Sequence, residues 1–382
     1  MTTFFTIDHK LCPPRRLGRR VLSIARLDCS SRGDYNSLMT TRMLPASALC
    51  LFCALADLNG FAQGSSSTGK AAGEIVAAAN KFLTTFDEGE RSKVVFDFKD
   101  EEQRKRWSNL PATMFKRAGL RMGDLTKPQQ ETVRALLAAA LSPQGYEKVL
   151  QIVEGDEELK KAGAGGGRPM FGHDEYYVAL LGQPSTSEPW MVQFGGHHLA
   201  LNITLAGEQG TLAPSHTGAQ PALYELEGKT VRPLGRETDK AFALIDSMDQ
   251  TQRKQAILGF KMHDLVLGPG RDGQMIQPEG IKGSALTEKQ REMLLDLAGE
   301  WTGIMHEAVA KAKMDELKQH ITETWFAWSG PTERGSAAYF RIQGPTVIIE
   351  YAPQSLGGEP TMHIHTIYRD PTNEYGAKWR KR

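Results

Sequence analysis

Cysteine is confined to the amino-terminal part of this sequence. All four cysteines of the 382-residue chain are found there, at Cys12, Cys29, Cys50 and Cys53. The rest of the chain has no thiol, which excludes a disulfide or a thiolate metal site within it. Any metal bound there must be held by nitrogen and oxygen ligands.

The sequence also lacks an excess of charge of either sign and any long apolar run. It has 46 Lys and Arg against 45 Asp and Glu. This balance argues against nucleic acid or an anionic membrane surface as a partner, because both attract strongly basic proteins. A membrane-spanning helix needs about 20 consecutive apolar residues, so we predict no membrane span. The sequence does not indicate an oligomeric state.

The amino-terminal part is typical of an export signal. Arg42 precedes an apolar run at 44–56, and small residues follow up to Ala62. This order predicts a signal peptide over residues 39–62 and a product exported to the periplasm or the extracellular space. Residues 1–38 are then a non-native or disordered extension. The alternative is a cytoplasmic protein with a basic disordered arm and a buried apolar helix.

Hydrophobic periodicity predicts one α+β domain over residues 63–382, with a mainly antiparallel sheet flanked by helices. Helical patterns cover 70–86, 125–140, 146–161, 239–258 and 287–311, and strand patterns cover 94–98, 175–181, 190–205, 338–343, 347–351 and 362–369. Because the helices come in blocks, the order differs from that of a parallel βαβ sheet. The Gly-rich stretch 160–172 is either a linker or a loop folded over a site.

Histidines in the predicted strands are the main functional signal. His363 and His365 are two positions apart, so in a strand both point to the same side and can bind one ion. His198 lies on the polar side of another strand pattern. We predict that these three histidines bind zinc, copper, iron or manganese and leave one position open, since imidazole selects poorly among these metals.

His197, the neighbour of His198, is expected to behave differently. Adjacent side chains of a strand point to opposite faces. Since the strand pattern over 190–205 includes both histidines, we predict that His197 points into the apolar layer. There a neutral imidazole would donate one hydrogen bond to a carbonyl.

Three other polar residues on the predicted polar faces are candidates for catalysis. Glu350 would act as a base or would orient a metal ligand. Arg341 or Arg369 would bind an anionic group of the substrate. The acidic run Asp156 to Glu158 is interpreted as a solvated helix face.

Several segments together resemble one known family. They are RWSNLP (106–111), YYVALLGQPS (176–185), PWMVQFGGHHLALNIT (189–204), WFAWSG (325–330), YFRIQGPTVIIEY (339–351) and HIHTIYRDPTNEYG (363–376). The sequence is similar in these segments to the domain-of-unknown-function 3500 family. That resemblance implies an exported single unit and supplies no catalytic residue.

Three functions stay open at this point. The first is an exported metalloenzyme with hydrolytic or oxidative activity on a small-molecule substrate. The second is a non-enzymatic envelope protein that binds a metal or a small organic ligand. The third is a structural module whose histidines bond to the backbone.

Overall fold

We describe residues 67–380 of the protein from a computed structural model, apart from residues 167, 169 and 357. The described residues belong to one compact unit. The predicted extension (1–38) and signal peptide (39–62) lie outside them. Of the helices described, none has the length and apolar character needed to cross a bilayer.

The described chain combines helices with a large sheet, which confirms the predicted α+β class. The helices are α1 (Ser67–Leu83), α2 (Glu88–Val94), α3 (Glu101–Arg104), α4 (Lys127–Ala140), α5 (Pro143–Lys161), α6 (Gly235–Asp246), α7 (Gln250–Ala256), α8 (Glu288–Thr302) and α9 (Glu307–Gln319). The strands are β1 (Val95–Phe96), β2 (Leu120–Arg121), β3 (Tyr177–Leu181), β4 (Trp190–Gly195), β5 (Leu199–Ala206), β6 (Gln209–Thr211), β7 (Ser215–Ala219), β8 (Tyr224–Leu226), β9 (Lys229–Val231), β10 (Ile281–Lys282), β11 (Trp325–Ser329), β12 (Tyr339–Gly344), β13 (Val347–Pro353) and β14 (Ile364–Arg369).

The main sheet has the strand order β1-β3-β4-β5-β7-β14-β13-β12-β11-β10, with β2 added to β3 and β6 added to β5. All of its pairs are antiparallel except β1 with β3. The topology brings β5, β7 and β14 side by side although β14 is distant from the other two in sequence. This arrangement places His198, next to β5, close to His363 and His365 at the start of β14.

One face of the sheet carries the apolar core. Leu199, Leu201 and Ile203 of β5 are buried in one cluster with residues of α1, α4, α5, α6 and α8. These three positions alternate along the strand, as expected where one face is covered by helices.

The opposite face carries a buried polar layer. His216, Glu350 and Arg341 lie in one cross-strand row on β7, β13 and β12, with Ile367 of β14 between the first two. Segments 96–118 and 258–280 contribute the groups that cover this face, for example the backbone N–H of Leu267, which donates to Glu350. Buried polar groups need such partners.

Two of the predicted helices are each divided in the structure. Residues 239–258 form α6 and α7, because Asp249 caps α7 by accepting a hydrogen bond from the Gln252 N–H at 2.8 Å. Residues 287–311 form α8 and the start of α9, and His306 is the N-cap of α9 rather than a residue within a helix. The predicted strand 94–98 is reduced to β1, since Val94 still belongs to α2.

Candidate metal centre

Three imidazoles converge where β5 and β14 begin. His198 directly precedes β5, His363 directly precedes β14, and His365 is the second residue of β14. The Nε2 atom of His363 lies 3.3 Å from that of His198 and 3.0 Å from that of His365. One nitrogen from each residue fits within a group of mutual distances below 4.8 Å, so the three can hold a metal ion.

Gly218 of β7 provides the space for two of these rings. A Cβ atom at this position would lie 3.0 Å from Cδ2 of His198, 3.2 Å from Cδ2 of His365 and 3.0 Å from the Ile364 carbonyl oxygen. These distances are tighter than most real Cβ contacts. The absence of a side chain at Gly218 therefore lets the two imidazoles approach each other across β7.

The Nδ1 atoms of the three imidazoles are also occupied. His198 Nδ1 lies 2.7 Å from Asp156 Oδ1, and His363 Nδ1 lies 2.6 Å from the Leu356 carbonyl oxygen. His365 Nδ1 lies 3.2 Å from the side-chain amide nitrogen, Nδ2, of Asn109. Such contacts on the second nitrogen fix the orientation of a metal-binding histidine.

The hydrogen-bond partners determine which nitrogens carry protons. A carboxylate and a carbonyl only accept, so Nδ1 is the donor in both His198 and His363. The Nε2 atom of a neutral imidazole then has only a lone pair. Two lone pairs therefore face each other across the 3.3 Å between His198 and His363. A cation between them would remove this repulsion.

Burial keeps these imidazoles neutral. It is the largest cause that lowers the pKa of His198 from 6.5 to about 4, and the neighbouring His197 lowers it further while Asp156 opposes the shift. Burial is also the main cause that lowers the pKa of His363, and it holds the pKa of His365 well below its ordinary value. A proton is therefore not the cation that separates the lone pairs at neutral pH.

Asp156 is a buried partner of the site, so its interpretation as part of a solvated helix face was wrong. Its side chain is only 1% exposed, and its Oδ2 accepts a hydrogen bond of 2.8 Å from the Tyr176 hydroxyl. Burial by itself would raise the pKa of this carboxyl, but His198 and His197 outweigh it and hold the pKa well below the usual range. The sequence could not indicate this, because the polar pattern of α5 does not show what packs against it.

The predicted environment of His197 was also wrong. His197 and His198 lie in the turn between β4 and β5, so strand alternation does not separate their side chains. The His197 Nδ1 atom lies 3.3 Å from Asp156 Oδ1 rather than beside a carbonyl. The centroid of its ring lies 4.7 Å from that of the Phe171 ring. The end of the Gly-rich stretch therefore folds over the site.

Asp156, His197 and His198 also form a second group whose ligand atoms are close enough to hold an ion. The 2.7 Å distance between His198 Nδ1 and Asp156 Oδ1 is that of a direct, charge-assisted hydrogen bond. An ion bound by both atoms would have to displace that hydrogen bond. We therefore conclude that Asp156 orients the His198 ring and is not a metal ligand.

The three candidate catalytic residues have other partners. Glu350 accepts hydrogen bonds from the Tyr339 hydroxyl at 2.6 Å and from the N–H groups of Val266 and Leu267 at 3.0 and 2.7 Å. Arg341 donates to Glu279 at 2.9 Å, and Arg369 donates to Glu374 and to the carbonyls of Leu267 and Arg271. Among the contacts of the described residues, none joins these three side chains to the imidazoles. Their catalytic roles stay predictions.

Two residues near the site were not singled out from the sequence. Asn109 reaches His365, and Arg117 holds Asn109 in place, because Arg117 Nη2 lies 2.7 Å from the Ser108 and Leu110 carbonyl oxygens on either side of it. The same nitrogen lies 2.5 Å from the Gly196 carbonyl oxygen. Arg117 thus joins two loops of the site. Asn109 lies in the RWSNLP motif, but both residues fall in a segment without a regular hydrophobic period, so periodicity carried no signal for this contact.

His216 is the remaining buried imidazole near the centre. It is fully buried on β7, and its ring centroid lies 5.1 Å from that of His365. Neither of its ring nitrogens has a hydrogen-bond partner among the described residues. Burial holds its pKa well below the ordinary value, so it is a neutral neighbour of the cluster.

The fold and the site define an α+β protein with three converging imidazoles that can hold a metal ion. The chain belongs to the family described as "Protein of unknown function (DUF3500)", whose profile matches residues 68–377. The resemblance found in the sequence motifs is therefore confirmed. Comparisons with curated proteins and with solved structures gave no match.

Proposed function

We propose that this protein binds one divalent transition metal ion through the Nε2 atoms of His198, His363 and His365. One observation carries the proposal: the Nε2 lone pairs of His198 and His363 face each other, and the two nitrogens are 3.3 Å apart. A positive ion turns this repulsion into two favourable ligand bonds. The same nitrogens are buried among groups that keep them neutral, which is the form that binds a metal.

The spacing of the nitrogens supports a tetrahedral ion. Two ligands at the usual zinc–nitrogen distance of about 2.0–2.1 Å are about 3.3 Å apart when the geometry is tetrahedral. The distances from His363 to His198 and His365 are 3.3 and 3.0 Å. The Asn109 amide has its nitrogen toward His365 Nδ1 in the structure. A 180° rotation of this amide would place its oxygen there and would leave all three Nε2 atoms free for the ion.

The proposed activity is metal-dependent hydrolysis of a small-molecule substrate. A zinc-type ion with three nitrogen ligands and one open position activates water and polarises carbonyl or phosphoryl groups. Asp156 would hold His198 in the correct tautomer and increase its basicity. The centre has neither the thiolate of a blue-copper site nor a carboxylate among its three ligands, which makes the oxidative alternative the weaker one.

A binding protein without catalytic activity is the second candidate. The exposed fractions of His363 and His365 are both 6%, and His198 is fully buried. Such limited access favours a protein that holds an ion over one that admits a large substrate.

Metal analysis of untagged protein tests the proposed centre. We expect one equivalent of a transition metal in the wild type and less than a tenth of an equivalent in His363→Ala. His263→Ala is the matched control, because His263 is exposed and distant in sequence from the three ligands. Equal metal content in wild type and His363→Ala would refute the assignment.

Turnover assays separate the two functions. We expect hydrolysis of at least one compound from a panel of esters and phosphates, with loss of activity on chelation and recovery with zinc. Oxidation of phenols instead would establish the oxidative alternative. A metal-loaded protein that converts no compound of the panel would favour the binding protein.

We also propose that the chain is exported and that residues 39–62 are removed as a signal peptide. Two observations support this: the order of basic, apolar and small residues in this segment, and the start of the family match at residue 68, beyond the proposed cut. Amino-terminal sequencing of the product from the export compartment should give Gln63 or a neighbouring residue. A product that starts at Met1 would refute the export proposal.

A further inference from the structure

A second concave site lies between α4, α5 and the β8–β9 hairpin. This cleft has a volume of about 610 Å³, and none of the three imidazoles lines it. Small-molecule sites commonly occupy about 300–1,000 Å³. A cleft of this size that reaches buried side chains is therefore a candidate ligand site.

The walls of the cleft are mostly apolar. The apolar lining residues are Met122, Val133, Leu137, Val149, Leu150, Val153, Tyr176, Phe194, Leu226 and Val231. Those at the base, such as Val133 and Phe194, are buried, whereas Leu150 and Leu226 at the edge are 41% and 36% exposed. Covering these two leucines with an apolar molecule would be favourable by the hydrophobic effect.

The β8–β9 hairpin forms one wall and depends on packing for its position. Within the described part of the chain, its two strands pair with each other and with no other strand. The turn at Glu227 and Gly228 has φ values of 50° and 74°, the left-handed pair required by a two-residue type I′ turn. The Tyr224 hydroxyl donates to the Gln151 carbonyl oxygen at 2.7 Å and attaches the hairpin to α5. An isolated hairpin is only marginally stable, so a molecule that fills the cleft would stabilise it.

The charges at the mouth of the cleft are balanced. Arg134 and Lys229 oppose Glu147 and Glu227, and all four side chains are exposed. None of these four residues forms an ion pair with another described residue, whereas the charge of Glu154 is already paired with that of Lys161 at 3.4 Å. A mouth with two charges of each sign attracts neither an anion nor a cation preferentially.

We infer that this cleft binds a neutral, largely apolar organic molecule. The apolar body would lie between α4, α5 and the hairpin, against the rings of Tyr176 and Phe194. The site is independent of the metal centre in its lining residues. It nevertheless touches the same network, because the Tyr176 hydroxyl donates to Asp156 at 2.8 Å.

Calorimetric titration with three probes of equal chain length tests the ligand class. We expect saturable one-to-one binding of 1-octanol, at least tenfold tighter than that of octanoate or octyltrimethylammonium. The titration is repeated on chelator-treated and zinc-loaded protein, and both should bind 1-octanol. This result would hold even if the metal proposal failed. Absence of saturable octanol binding, or equal affinity for a charged probe, would overturn the inference.

Two substitutions locate the binding site. Val153→Trp should fill the cleft and weaken octanol binding at least tenfold. Val309→Trp is the matched control, since Val309 is also half-buried but lines a different cleft of about 390 Å³ beside α9. This control substitution should change the affinity for octanol by less than twofold. Far-UV circular dichroism checks folding, and Leu226→Asp on the exposed hairpin serves as a second variant with an expected loss of at least fivefold. Unchanged affinity in both Leu226→Asp and a folded Val153→Trp would also overturn the inference.

Discussion

Replacement of Asp156 by asparagine tests how the fold prepares the metal centre. The side chain keeps its shape and can still accept from His198, but it loses its negative charge. The wild-type hydrogen bond of 2.7 Å has the length of a charge-assisted bond, which is about twice as strong as a neutral one. Because hydrogen bonds to charged groups contribute about 1.5–3 kcal/mol, the loss is about 1–1.5 kcal/mol.

This loss corresponds to about a tenfold weaker affinity for the metal, at the lower end of the 10- to 100-fold effect typical of such orienting partners. Competition with a chromogenic chelator at neutral pH measures the affinity. Glu157→Gln is the matched control: the residue is the next one on α5, and its carboxylate bonds to Lys160 and His173 instead of an imidazole of the metal centre. We expect less than a twofold change for this variant.

Asp156→Ala extends the same test to stability. It removes the acceptor of two imidazole N–H groups and of the Tyr176 hydroxyl. Each buried group left without a partner costs about 1–3 kcal/mol, so the free energy of unfolding should fall by about 3 kcal/mol or more. Wild-type metal affinity in Asp156→Asn, or an equal loss in Glu157→Gln, would refute an orienting role for this carboxylate.

Three other predictions concern packing, the polar layer and pH. Gly218→Ala should destabilise the protein by about 1–3 kcal/mol in chemical denaturation and weaken metal binding, because the new Cβ would lie 3.0 Å from Cδ2 of His198. Gly73→Ala is the control, since nothing lies within 4 Å of its Cβ. Glu350→Gln should lower the free energy of unfolding by about 2 kcal/mol without changing metal content, since the carboxylate accepts three hydrogen bonds unrelated to the imidazoles; loss of metal from a folded variant would contradict this. The metal-free protein should lose stability on acidification, because His198, with a pKa lowered from 6.5 to about 4, takes up a proton more readily when unfolded. That contribution, about 3 kcal/mol, is fully present above pH 6.5 and lost by pH 4; an equally steep slope in His198→Gln would show that another group causes it.

The strand motifs were the most informative part of the sequence. The HIH spacing at 363–365 fixes two imidazoles on one side of β14, because side-chain direction in a strand depends only on local backbone geometry. The same rule failed at 197–198, where the two histidines lie in a turn. Alternation predicts direction only within the strand, and element boundaries are the least certain part of a sequence-based prediction.

Polar residues on helices and in loops were harder to assign. Asp156 precedes two acidic residues that resemble a solvated face, yet its own side chain is 1% exposed. Glu350 and Arg369 share a polar face with the histidines in sequence terms, but the segment 258–280 supplies most of their partners. A polar pattern shows that a residue has a polar environment, and it does not identify the groups that provide it.

The sequence by itself determined the α+β class, the family, the absence of thiol ligands after residue 53 and the pairing of His363 with His365. These features depend on composition, motifs and local periodicity, which are properties of neighbouring residues. Only the tertiary structure decided that His198 joins that pair, that Asp156 orients it and that Gly218 leaves room for the rings. The contacts of His198 with Asp156 and His363 link residues more than 40 positions apart along the chain. They arise from the order in which β5, β7 and β14 pair and from the packing of α5 against β5 and β7.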